Sequence, residues 1–67
     1  MMEISELEAL RDAGTIHVFH GWFGRRPEGL RGRVESVGAP ADPDVVIVRS
    51  VDGLTRRNWD RHTMSYA

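Results

Sequence analysis

The chain has 67 residues, no cysteine and a formal net charge of −1. This length predicts a single domain over residues 1–67, and the missing thiols exclude disulfides and thiolate zinc sites. No segment approaches the roughly 20 apolar residues of a membrane span, and no signal peptide is visible. We therefore expect a cytoplasmic protein without membrane contact. Because so small a core supplies little stability, a homo-oligomer or a larger assembly is one alternative.

All nine basic residues are arginines. One interpretation is codon use in a GC-rich genome, such as that of an actinobacterium or its phage. The other is selection for planar, bidentate contacts to phosphate or carboxylate groups. The charges lie in blocks, with acidic segments at 3–12 and 42–52 and basic segments at 25–33 and 56–61. The two basic segments would form one patch if the fold brought them together.

The first predicted element is a helix over residues 5–13. Ser5 and Glu8 have the spacing of a capping box, and Gly14 stands where a left-handed residue ends many helices. So short a helix does not persist alone in water, so it must pack on its own sheet or on another chain. The apolar side chains available for this packing are Ile4, Leu7 and Leu10.

Residues 15–67 predict four or five strands. The first strand, TIHVFHGWF, is rich in β-branched and aromatic residues, and Gly21 is a candidate bulge. Its alternation places Ile16, Val18, His20 and Trp22 on one face and His17, Phe19 and Phe23 on the other. The segment GRRPEG predicts a loop, and LRGRVESVG predicts the second strand.

The third predicted strand, VVIVRSV, has an apolar start that indicates burial on both sides. Asp52-Gly53 then predicts a two-residue type I′ hairpin into the fourth strand, LTRRNW, and a final strand runs through Met64 and Tyr66. The fold class is mainly β with one short N-terminal helix. The sheet is either a small bent antiparallel sheet or a closed barrel of four to five strands, since closure removes exposed edges.

The segments GLRGRVESVG and VVIVRSVDG, with the polar fourth strand, resemble small SH3-like barrels. They are similar to KOW and Tudor-type modules and to short actinobacterial domains with the pattern GxV…VVRW.DG. The resemblance covers residues 29–60 and implies an SH3-like fold and an interaction role, but no particular ligand. Those domains often have an aromatic residue after the arginine, where this chain has Ser50. The resemblance therefore does not extend to an aromatic cage.

The sequence contains no pattern that predicts catalysis. His17 and His20 point to opposite faces of a strand unless Gly21 forms a bulge. The three histidines, with His62, have no cysteine partners and no spacing signature, so no metal site is predicted. No nucleophile elbow and no phosphate-binding loop are present. We predict a protein that is not an enzyme and uses no metal and no cofactor.

Arginines beside aromatic residues are the remaining pattern of interest. This combination is typical of protein hot spots and of single-stranded nucleic-acid platforms. The near-neutral charge favours a protein partner, and a third alternative treats the tryptophans as core anchors and the arginines as a solvated face. The predicted partner-binding residues are Trp22, Arg25, Arg26, Arg56, Arg57 and Trp59.

The fourth predicted strand is expected to contribute to the core on one face and to a docking surface on the other. Its alternation places Thr55, Arg57 and Trp59 on the face opposite Leu54, so one face must expose an apolar residue. We expect replacement of both Arg57 and Trp59 by alanine to abolish partner binding and leave the fold intact. The leading hypothesis is a small protein-interaction module, an accessory protein of a phage or actinobacterium that binds a host or assembly protein. The alternatives are a nucleic-acid-binding barrel and a structural homo-oligomer subunit.

Overall fold

The structure, a computed structural model, describes residues 1–67. Helix α1 spans Ile4–Ala13, and the five strands are β1 His17–Phe23, β2 Arg26–Val37, β3 Val45–Ser50, β4 Arg56–Asp60 and β5 Ser65–Tyr66. The strands form one antiparallel sheet in the order β4-β3-β2-β1-β5. The predicted mainly β fold with an N-terminal helix is confirmed. The sheet is bent but is not closed into a barrel, because β4 does not pair with β1 or β5.

The core lies on the inner face of the bent sheet, where every second strand residue points. In β3, Val46 and Val48 are fully buried, whereas the alternate residues Val45 and Ile47 are only half-buried. The burial of β3 on both sides is therefore only partial. The buried apolar side chains are Met2, Leu7, Phe19, Val34, Val46, Val48, Trp59 and Met64.

Helix α1 packs on its own sheet. Of the two predicted alternatives, its own sheet or another chain, the structure shows the first. Leu7 is fully buried, and Leu10 packs against the core from a half-buried position. Gly14 has φ 64° and donates its backbone N–H to the carbonyls of Leu10 and Arg11, as predicted for a left-handed C-terminal residue. Ile4 is exposed, so its predicted role in packing is wrong.

The predicted capping box is also wrong. The helix already includes Ser5, its N-cap residue is Glu3, and no side chain caps the first turn. The start of α1 is instead positioned by Met2, whose side chain is buried and whose N–H donates to the carbonyl of Arg61 at 2.9 Å. A tertiary contact therefore sets the beginning of this helix.

The β1–β2 connection is much tighter than the predicted loop. Phe23 pairs directly with Arg26, so the turn consists of Gly24 and Arg25 alone. Gly24 has φ 64° and Arg25 has no positive φ, which matches a type II′ turn. Pro27 is tolerated in β2 because the position of its missing N–H faces away from β1, beyond the end of β3.

The β3–β4 connection is longer than the predicted two-residue turn. The N–H of Ser50 donates to the carbonyl of Thr55 at 2.8 Å, and only Gly53 has a positive φ. The Asp52 carboxylate accepts hydrogen bonds from Ser50 Oγ at 2.5 Å and from the Leu54 N–H at 3.0 Å, and these bonds lower the pKa of Asp52. The type I′ prediction is wrong, but the predicted pairing of β3 with β4 is confirmed.

Gly21 lies where β4 approaches β1 across the bend of the sheet. It pairs regularly with Glu28, so the predicted bulge is wrong, and the irregularity lies in β2 between Val34 and Ser36. The ring of Trp59 occupies the space that a Cβ atom at Gly21 would fill. A glycine here allows the inner faces of β1 and β4 to meet.

The structure contains no helix with the length and apolar character needed to cross a membrane.

Asp44 joins three parts of the chain. Arg61 donates from Nε to Asp44 Oδ1 at 2.7 Å and from an Nη atom to the Met2 carbonyl at 3.3 Å, and His62 Nε2 lies 3.4 Å from Asp44 Oδ2. The cluster therefore ties the segment before β3 to the segment after β4 and to the N-terminus. The hydrogen bond from Arg61 is the main cause that lowers the pKa of Asp44.

The lowered pKa makes this cluster sensitive to acid. Its stabilising contribution is fully present above the ordinary aspartate pKa of about 3.9 and is lost as the pH falls through the lower folded value. We expect Asp44→Asn to be less stable than the wild type at pH 7 and to lose less stability between about pH 5 and pH 2. Urea unfolding at a series of pH values measures this. Asp12→Asn removes the same charge on α1 and serves as the control, and a pH dependence unchanged by Asp44→Asn would contradict the role of the cluster.

Candidate partner-binding surface

Of the six predicted partner-binding residues, Trp59 is not accessible. Its side chain is only 2% exposed and belongs to the core, because the alternation of β4 points it inward with Thr55 and Arg57. Leu54 is 86% exposed in the β3–β4 connection, so the predicted exposure of one apolar residue in this region is confirmed. Trp59 must be removed from the candidate surface, since a partner cannot reach its ring.

Arg57 is half-buried and is engaged inside the molecule. Its Nε lies 2.5 Å from Glu28 Oε1, and its Cζ lies 4.7 Å from the ring centroid of Phe23. A guanidinium over an aromatic ring is an attractive cation–π arrangement. Arg57 therefore connects β4 to the β1–β2 hairpin and has little of its guanidinium free for a partner.

Arg56 lies on the opposite face of β4 from Arg57, in a small ionic cluster. Glu35 Oε2 is 3.7 Å from Arg56, and Glu35 Oε1 is 2.6 Å from Nε of Arg49. One carboxylate thus serves two guanidinium groups. The two basic segments of the sequence approach each other on the outer face of the sheet, where Arg33, Arg49 and Arg56 lie in one cross-strand row. Within this row the guanidinium groups of Arg49 and Arg56 are paired with Glu35.

The other three predicted residues lie together at the end of the β1–β2 hairpin. We call residues 22–26 the hairpin tip. Trp22 and Phe23 are 51% and 58% exposed, and they point to opposite faces of the hairpin because they are consecutive strand residues. Arg25 and Arg26 are exposed beside them. The tight Gly24-Arg25 turn is the reason that this set of large and charged side chains is presented together.

The face of the hairpin that points away from the core continues the tip toward the middle of the sheet. Cross-strand pairing places Trp22 beside Pro27, His20 beside Gly29, and Val18 beside Arg31. All of these residues are exposed. We call this surface the outer hairpin face and define it by the side chains of Val18, His20, Trp22, Arg31 and Arg33.

The arginines fall into two groups by their partners. Arg11, Arg49, Arg56, Arg57 and Arg61 each have a carboxylate oxygen within 4.0 Å. No such contact exists for Arg25, Arg26, Arg31 and Arg33, all of which belong to the β1–β2 hairpin. Arg33 donates Nε to the Gly14 carbonyl at 3.1 Å, which orients its guanidinium without neutralising it.

Sequence reasoning missed Arg31 and Arg33, and the signal was available in the alternation of β2. Arg31 and Arg33 are two residues apart in an extended segment, so their side chains lie on the same face. This is also the face of Val18 and Trp22 in β1. What the sequence could not supply was the register that sets Arg31 beside Val18. That register depends on the two-residue turn at Gly24 and Arg25, whereas the sequence predicted a longer loop over residues 24–29.

An open cleft of about 400 Å³ lies beside Trp22, between the hairpin and the segment that leads into β5. His20, Trp22 and Pro27 form its hairpin side, and Thr63 and Ser65 form the other. The ring of His20 lies close to Gly29, which has no side chain to block the floor. The cleft is open to solvent, and Trp22 is the one large apolar side chain in its otherwise mostly polar lining.

The described residues contain no group of three or more His, Cys, Asp or Glu side chains placed to hold a metal ion. No protein-family model matches the chain, and no curated protein and no solved structure is significantly similar to it.

Proposed function

We propose that this chain is a non-enzymatic protein-interaction module that binds its partner through the hairpin tip. The observation that carries the proposal is the exposure of Trp22 and Phe23, 51% and 58%, beside two arginines without acidic partners. Tryptophan and arginine are among the residues that dominate the binding energy of protein interfaces. The predicted SH3-like family, the cytoplasmic location and the role as a phage or actinobacterial accessory protein belong to this same proposal.

The tip is held in place before any partner arrives. Phe23 is covered on one side by the guanidinium of Arg57, and Arg57 is fixed by Glu28 at 2.5 Å. The Gly24-Arg25 turn is the shortest connection that joins two antiparallel strands. A surface ordered in advance loses less conformational entropy on binding, which favours its use in recognition.

Another exposed apolar site supports the choice of the tip by contrast. Val51 and Leu54 are exposed in the β3–β4 connection, but neither is aromatic. The neighbouring arginines, Arg49 and Arg56, are already paired with Glu35. The tip combines aromatic area with unpaired guanidinium groups, and the β3–β4 connection has neither.

The proposal predicts that Trp22→Ala abolishes partner binding without unfolding the protein. Truncation of a hot-spot residue costs enough to weaken binding by about tenfold or more. The measurement is affinity capture from a nuclease-treated lysate of the host organism, with circular dichroism as the check on folding. Leu54→Ala is the matched control, because it truncates an exposed apolar side chain outside the tip. Proteins retained equally by the wild type, by a folded Trp22→Ala and by Leu54→Ala would contradict the proposal.

A further inference from the structure

We infer that the partner binds with an extended acidic segment, carrying carboxylates at alternate positions, that lies along the outer hairpin face. The inference rests on the proposed function and specifies the chemistry of the partner. The four arginines without a carboxylate within 4.0 Å all belong to the hairpin, while the other five are paired within the chain.

The carboxylates of the hairpin itself do not neutralise these arginines. Glu28 points to the inner side of the sheet, where it binds Arg57 at 2.5 Å. Glu35 lies two residues beyond Arg33, but its carboxylate is occupied by Arg49 and Arg56 at 2.6 and 3.7 Å. The outer hairpin face is thus left with positive charge that only another molecule can complement. Arginine suits this role, since its planar guanidinium binds carboxylates through two parallel hydrogen bonds.

The spacing of the arginines defines the form of the ligand. Arg31 and Arg33 are two residues apart in β2, which sets them about 6.6 Å apart along the strand. Alternate side chains of an extended partner segment have the same spacing. Two carboxylates on one side of such a segment therefore meet both guanidinium groups. The exposed apolar row formed by Val18 and Trp22 then receives an apolar side chain of the segment.

A nucleic acid fits this surface less well. Single-strand platforms stack successive bases on neighbouring aromatic rings, but Trp22 and Phe23 point to opposite faces. The ring of Phe23 is also covered by Arg57. The formal net charge of −1 gives no general attraction for a polyanion. A carboxylate-bearing peptide needs only the local positive charge of the hairpin.

A second copy of the chain offers two acidic segments. In residues 42–52, Asp44 is already paired with Arg61 and Asp52 is hydrogen-bonded to Ser50. The other segment is helix α1. Its acids are partly neutralised already, because Arg11 lies 3.9 Å from Glu8 and 3.0 Å from Asp12. Successive acids of a helix also do not reproduce the alternate spacing of an extended segment. Self-association through α1 is therefore an outcome that the experiment must distinguish.

Fluorescence anisotropy with three labelled probes tests the inference. The probes are a nine-residue peptide with glutamate at alternate positions and a central leucine, the same peptide with glutamine in place of glutamate, and a nine-nucleotide oligothymidylate. We expect the glutamate peptide to bind about tenfold more tightly than the other two. Arg31→Gln is expected to weaken that binding by about tenfold, because it removes a charge that faces the ligand. Arg11→Gln removes the same charge on α1 and is expected to have no effect.

Three results would overturn the inference that the partner binds with an acidic segment. They are equal binding of the glutamate and glutamine peptides, equal effects of Arg31→Gln and Arg11→Gln, and tighter binding of the oligothymidylate. Concentration-dependent self-association that Arg31→Gln abolishes, measured by light scattering, would assign the surface to a second copy instead. These results are separable from the proposed function: if the glutamate peptide fails while Trp22→Ala still abolishes capture from the lysate, only the acidic partner is refuted.

Discussion

Trp59→Ala is expected to unfold the chain under conditions in which Trp22→Ala leaves it folded. Trp59 is among the largest fully buried side chains and fills the space between β4 and Gly21 of β1. Truncation of a buried aromatic residue to alanine costs about 3–5 kcal/mol. A core of this size supplies only about 3–5 kcal/mol in total, so the variant retains almost no stability at 25 °C. Trp22 is half-exposed, and its truncation removes little of the core.

The measurement is urea or thermal unfolding of the wild type and both variants, followed by far-ultraviolet circular dichroism. Trp59→Phe is a useful third variant. It keeps a ring against Gly21 and removes an indole N–H that is buried without a hydrogen-bond partner. It is therefore expected to fold. Equal stability of Trp22→Ala and Trp59→Ala would contradict the assignment of one tryptophan to the core and the other to the surface.

Gly32→Ala is the second variant for which we expect a large loss of stability. A Cβ atom at Gly32 would overlap the backbone of β3 at Arg49 and Ser50. Unlike a side chain, the backbone of a paired strand cannot rotate away from the added atom. Overpacking costs about 1–3 kcal/mol where side chains are able to yield. We expect about 3 kcal/mol or more here, because β2 and β3 must separate.

Gly29→Ala is the matched control for Gly32→Ala. Both substitutions reduce the freedom of the unfolded chain equally, and neither glycine has a positive φ. The nearest atoms to a Cβ at Gly29 belong to the ring of His20, at 3.2 and 3.3 Å, and this exposed side chain is free to rotate away. Free energies of unfolding of the two variants, measured by denaturant titration, that lie within about 0.5 kcal/mol of each other would show that β2 does not approach β3 as closely as described.

Local patterns were sufficient to predict much of the sheet. The alternation of the first strand placed Val18, His20 and Trp22 on one face and Phe19 on the other, and the structure buries Phe19 while it exposes the other three. The pairing of β3 with β4 followed from an apolar run and a polar run on either side of Asp52-Gly53. These features depend on the period of two along a strand, which the sequence shows directly.

The β1–β2 turn was predicted as a longer loop because the first residues of β2 are of types that are common in loops. Pro27 and Gly29 are typical of loops, and together they indicated that the second strand begins only at Leu30. Pro27 belongs to the strand because β3 is absent on the side to which its missing N–H would point. That absence is a property of the assembled sheet and not of the segment itself.

The two tryptophans show why the candidate surface was only half predictable. Trp22 and Trp59 both lie near paired arginines in β-prone segments, so the local sequence gives them the same interpretation. Their burial differs because Gly21 lets the ring of Trp59 enter between the strands, whereas Trp22 faces away from the core. The distinction depends on a contact between β1 and β4, which no pattern along the chain encodes. The expected survival of a variant lacking both Arg57 and Trp59 is therefore withdrawn.

The central claim is that partners bind the β1–β2 hairpin. The most direct test is two-dimensional NMR of the ¹⁵N-labelled chain during titration with a captured partner or with the glutamate peptide. We predict that the largest shifts fall on the backbone amides of residues 18–33 and on the indole N–H of Trp22, while the indole N–H of Trp59 hardly moves. Shifts centred on α1 or on the β3–β4 connection, with the hairpin unaffected, would contradict the claim.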